Sequence, residues 1–261
     1  MSVGPATLLK LGISILAVIV TILVFIRGKK AELKAIYIIG ICFLIIGLNA
    51  LTAVSVDIDP SLFTSSKTLY NLLGLISLIF YGLFVHYAFY VGRKSPIKII
   101  FLIFMIGLVL MIIFSISAIV ITGSFAPQNQ DLSASHINHT FSVVIMLVTN
   151  LITNGWRFKA SLSSYNEIKQ NINVEDWIKL KYKLIMLGCI LLVCLGTIQF
   201  LDYSAFKLLT TMLLVFIAFV LETLIWLPPS WLKNWANRNY DVKDESADMS
   251  EEDILAQMEE D

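Results

Sequence analysis

Long uncharged apolar runs recur along almost the whole of this chain, separated by short polar stretches. A membrane crossing needs roughly 20 apolar residues to traverse ~30 Å of hydrocarbon. Runs of that kind occur at about 7–26, 35–55, 69–91, 98–122, 137–156, 184–203 and 206–227. The last two lie only a few residues apart, but 44 residues from Leu184 to Leu227 make about 66 Å of helix, twice what one crossing uses. Two antiparallel helices joined by a tight turn near Asp202–Ser204 fit better. The hydrophobic share of 57% exceeds the ~45–50% of soluble domains. The expected fold class is therefore all-α, an integral membrane bundle of seven transmembrane helices, with a cell membrane, multi-pass localisation and the lipid bilayer as partner.

Basic residues accumulate in cytoplasmic loops, and they set the expected orientation. Arg27, Lys29, Lys30 and Lys34 follow the first run, and Arg93, Lys94 and Lys98 follow the third. Arg157, Lys159, Lys169, Lys179, Lys181 and Lys183 follow the fifth, and Lys233, Arg238 and Lys243 follow the seventh. Only Lys10, Lys67 and Lys207 fall on the other side. This alternation predicts an outside N-terminus and a cytoplasmic C-terminus. The first run lacks a basic stretch before it and a small-residue cleavage site after it, so it reads as a retained helix.

The expected organisation is a transmembrane domain over 1–227, an interfacial segment over 228–240 and a disordered acidic tail over 241–261, where ten acidic residues face one lysine. Trp226, Trp231 and Trp235 read as interfacial anchors, since indole rings favour that depth. Ile168, Ile172, Val174, Trp177 and Ile178 suggest a surface helix or, equally, a plain connecting helix within a cytoplasmic loop at 157–183. A cytosolic or membrane protein partner is expected through 157–183 and 241–261, and no nucleic-acid partner. Asn138-His139-Thr140 matches a glycosylation sequon.

Ionisable groups inside apolar runs are costly and mark the first place to look for function. Glu222 and His86 both fall roughly 7–10 Å from the expected cytoplasmic surface at 1.5 Å per residue, so a polar pair between them is a candidate, with Tyr90 one turn beyond His86. Asn49, Asn71, Tyr81, Asn150 and Asn154 are candidate polar contacts within the bundle, with Asn150 and Asn154 on one helix face. Cys42, Cys189 and Cys194 lie singly in apolar runs without metal-ligand spacing. No catalytic constellation, cofactor motif or metal set is read, and an enzyme is not expected.

The stretch Leu227-Pro228-Pro229-Ser230-Trp231-Leu232-Lys233-Asn234-Trp235, followed by Asn237-Arg238-Asn239-Tyr240, resembles the close of uncharacterised archaeal seven-transmembrane proteins. The layout is more distantly similar to the seven-span sensor modules associated with histidine kinases. That resemblance implies a membrane sensor or signalling-associated protein without its own effector domain, acting through cytoplasmic loop and tail contacts. A small-solute or ion transporter using Glu222 and His86 is the alternative, and a structural or assembly subunit of a membrane complex a further one.

Overall fold

A computed structural model describes residues 5–31, 34–59, 63–90, 94–122, 132–171, 173–198, 205–238 and 240. Among them the chain is all-α. Its helices are α1 (Pro5–Ala31), α2 (Lys34–Ile58), α3 (Phe63–Phe89), α4 (Ile97–Thr122), α5 (Leu132–Ile168), α6 (Asp176–Ile198), α7 (Ala205–Trp226) and α8 (Ser230–Ala236).

Seven crossings are not what these helices supply. Among the described residues, three helices are long and apolar enough to cross a membrane, over Thr7–Lys29, Lys34–Ser55 and Leu72–Phe89. A fourth is added if Leu213–Trp226 and Ser230–Ala236, bent by 77°, count as one span. Among the described residues α4 contributes a shorter apolar helix, Ile97–Ile113. In α5, Thr149, Asn150, Thr153, Asn154 and Arg157 interrupt the apolar run. Asp176, Lys179, Lys181 and Lys183 load the start of α6. The seven-helix transmembrane bundle, its outside-to-cytoplasm orientation and the multi-pass cell-membrane localisation are corrected accordingly. The bilayer as partner, which rested on seven crossings, loses that basis with them.

The helices close into a ring. Consecutive contacts run α1 to α2, α2 to α3, α3 to α5, α5 to α6, α6 to α7 and back from α7 to α1, while α4 packs outside against α3 and α5. The α1–α2 pair is antiparallel and close because small residues line its seam. Ser14 Oγ donates to the Gly47 carbonyl at 3.1 Å, and Thr21 Oγ1 to the Gly40 carbonyl at 3.3 Å. A Cβ on Gly47 would sit 3.0 Å from the Ala17 methyl, so glycine sets this approach. Phe43, Phe84, Val85, Phe104 and Ile185 fill the interior. Burial of such side chains contributes about 1.5–3 kcal/mol each.

The region 157–183 is not a loop. Helix α5 runs through to Ile168, and α6 begins at Asp176. Trp177 is fully buried and packs with Val174 and Ile178 against Leu232 and Ala236 of α8. The surface helix and partner-facing loop expected here are instead internal packing. The tail at 241–261, also expected to meet a partner, lies outside the described residues. Asn138 falls within α5, its side chain outside what is described.

Candidate functional site

Glu222 is the buried carboxylate around which the bundle's polar groups gather. Its partner is Arg157 of α5: Nη1 donates to Oε1 at 2.6 Å and Nη2 to Oε2 at 2.9 Å. Arg157 is wholly buried and Glu222 is 3% exposed. Trp226, one turn further along α7, donates Nε1–H to Oε2 at 3.0 Å. The guanidinium lies over the Tyr81 ring, 5.3 Å from its centroid, and near that of Phe84 at 5.6 Å. Burial works against the charged guanidinium, but the Glu222 carboxylate more than restores it, so Arg157 is held above its ordinary pKa. Two-point pairing of this kind is charge-assisted and fixes geometry as well as charge.

The local sequence explains how an arginine reaches this position. Thr149, Thr153, Arg157 and Ser161 are four apart and all buried, so one face of α5 is polar and mostly small. The hydroxyls bond back within the helix, Thr153 to the Thr149 carbonyl and Ser161 to that of Arg157, each at 2.8 Å. On α6, Gly188 makes room: a Cβ there would stand 3.2 Å from Glu222 Oε1.

The structure does not place His86 with Glu222. Its Nδ1 is buried without a hydrogen-bond partner, and its ring lies edge-on to Tyr87 at 5.0 Å. Tyr90 stacks near Trp156, centroids 5.5 Å apart. Asn150 ties α5 to α6 by donating Nδ2–H to the Leu192 carbonyl at 2.8 Å, and Asn154 bonds back to Asn150. Asn71 lies on α3 with its side chain outside the described residues. Trp226 faces inward. It is buried, touches Phe84 edge-on at 4.8 Å, accepts a bond from Arg27 Nη1 at its carbonyl at 2.8 Å, and has the Lys181 ammonium 4.8 Å from its ring centroid. Trp231 and Trp235 of α8 are exposed.

Glu222 and Tyr81 also form the floor of a partly open cavity of about 400 Å³, bordered by α1, α2, α3, α6 and α7. Its walls are mainly apolar, with Phe43, Ile46 and Val215 among them, and Asn49 stands midway. At the far end lies Lys10, bound to Asp57 at 2.7 Å, with Tyr70 nearby. Tyr70 and Tyr81 are eleven residues apart, as are Thr211 and Glu222, so the cavity extends about 16 Å along the helices. Volumes of roughly 300–1,000 Å³ with few polar groups are those of small-molecule sites.

The C-terminal motif acts elsewhere. Asn237 Oδ1 accepts from the Trp177 backbone N–H at 2.7 Å, capping the start of α6, and its Nδ2 donates to Glu175 at 2.8 Å. Tyr240 donates its hydroxyl to the Asn173 carbonyl at 2.8 Å. The Asn-Arg-Asn-Tyr stretch thus clamps the α5–α6 connection.

No family model, curated protein or solved structure matches this chain. With three or four membrane-competent helices among the described residues in place of seven, the resemblance to seven-span archaeal proteins and kinase-linked sensor modules is corrected. The seven-span sensor, transporter and assembly-subunit readings fall with it.

Proposed function

We propose that this chain is a binding protein for a small, elongated and mostly apolar molecule, held inside the helix ring. The observation that carries this is the cavity of about 400 Å³, apolar along its walls and polar at its two ends. Binding, and not catalysis, is the role proposed. The charges at the floor pair with each other, an arrangement suited to orienting a ligand. Arg157 neutralises Glu222, so the floor offers fixed dipoles in place of a net charge.

A cavity-filling substitution tests this. Ala50 lines the cavity on α2, and Ala50→Phe places an aromatic ring in the space. The full chain, held in amphipol because α1 and α4 expose apolar faces, is expected to melt at higher temperature when medium-chain alcohols are added. The Ala50→Phe variant is expected to keep its helical circular-dichroism signal and lose that shift. Equal shifts in both proteins would contradict the proposal.

A further inference from the structure

The ligand's polar group can be read from what the cavity floor leaves open. A carboxylate offers about four acceptor positions. Three of Glu222's are engaged, two by Arg157 and one by Trp226. Oε2 takes two of these bonds, from Arg157 and Trp226, whereas Oε1 takes one. One acceptor position therefore remains on Oε1, and Glu222 lines a mainly apolar cavity. Tyr81, which shares that floor, contributes a phenol hydroxyl able to donate as well as accept.

Charge decides what fits there. An anion would find both Nη donors of Arg157 already taken by Glu222 and would lose its own hydration. A cation would find the carboxylate already neutralised by Arg157 while losing its own hydration, which an apolar cavity does not replace. A neutral donor has neither difficulty. Its O–H reaches the free position on Glu222, and its oxygen accepts from Tyr81. The mainly apolar wall, about 16 Å long with Asn49 midway, suits a chain and not a compact polar molecule.

We propose that the cavity selects an elongated apolar alcohol, which enters head-first and gives its hydroxyl to Glu222 and Tyr81 at the floor. This rests on the binding role proposed above and specifies its ligand class. Sites built to hydrogen-bond a hydroxyl discriminate strongly against analogues that lack it, because the site's own polar groups are left unpaired.

The test is equilibrium dialysis of the full chain with three probes of matched length: decan-1-ol, decyl methyl ether and decylammonium. The alcohol is expected to bind at least tenfold more tightly than either of the others. In a double variant, Arg157→Met with Glu222→Leu, the floor becomes apolar without stranding a charge, and the alcohol-to-ether ratio is expected to fall to about one while the ether still binds. Tyr81→Phe is expected to reduce the ratio without abolishing it. If all three probes bind the native chain equally, or if the ratio survives in the double variant, the alcohol assignment is overturned and the binding role stands. If none of the three binds, the binding role itself fails, and the assignment with it.

Discussion

Arg157 of α5 and Glu222 of α7 are joined by two hydrogen bonds, of 2.6 and 2.9 Å, in the interior of the helix ring. Removing one member of a buried pair leaves an uncompensated charge and costs about 3–5 kcal/mol. Replacing both by apolar residues of similar size is often neutral or stabilising by about 1–4 kcal/mol. Glu222→Leu is therefore expected to destabilise the fold severely, and adding Arg157→Met to restore most of the loss. Thermal unfolding of the two variants checks this; a double variant no more stable than the single one would show that the pair is not the reason for the loss.

The Lys10–Asp57 bridge at the other end of the cavity should behave differently. Its side chains are 16% and 27% exposed, so solvent and salt screen it. Asp57→Asn is expected to cost less than about 1 kcal/mol, with the difference from the native chain shrinking as salt is raised. Denaturation at low and high ionic strength measures both.

Gly188 and Gly155 make a matched comparison. Both are helical, yet a Cβ on Gly155 meets nothing within 4 Å, whereas one on Gly188 meets Glu222 Oε1 at 3.2 Å. Gly155→Ala is expected to stabilise by about 0.5–1 kcal/mol through the lower entropy of alanine in the unfolded chain. Gly188→Ala is expected to gain less or to lose stability, since the methyl presses on the carboxylate that holds Arg157. Melting temperatures of the two variants, measured side by side, decide the matter.

Asn237 holds the start of α6 through Trp177 and Glu175. Loss of a helix N-cap costs about 0.5–2 kcal/mol. Asn237→Ala is expected to speed amide exchange at Trp177 while leaving the middle of α6 unchanged. Hydrogen exchange resolved along the chain would show uniform acceleration instead if Asn237 acted through global stability.

The helical content was legible from apolar runs alone, because lengths of that order at such low polarity have few other ways to pair their backbone. How many helices could cross a membrane was not. That depended on where charge and bend fall within each helix: the lysines opening α6, the polar stripe of α5 and the 77° break after α7. Glu222 was visible as a lone carboxylate in an apolar run. Its partner was hidden, because Arg157 was counted among loop charges with Lys159 and Lys169. The spacing Thr149, Thr153, Arg157, Ser161 carried the missing signal, one helical face continuing past the point where the apolar run stops. Trp226 is a related case. Sequence neighbours Trp231 and Trp235 are exposed, but Trp226 lies one helical turn from Glu222 and turns inward to bond it.

The central claim is that the space between Glu222 and Lys10 holds a ligand, and stoichiometry measures it most directly. Equilibrium dialysis with radiolabelled decan-1-ol is expected to show one saturable site per native chain, and less than a tenth of that occupancy in Ala50→Phe at the same free concentration. Saturable binding that Ala50→Phe leaves undiminished would place the ligand outside this cavity and contradict the account.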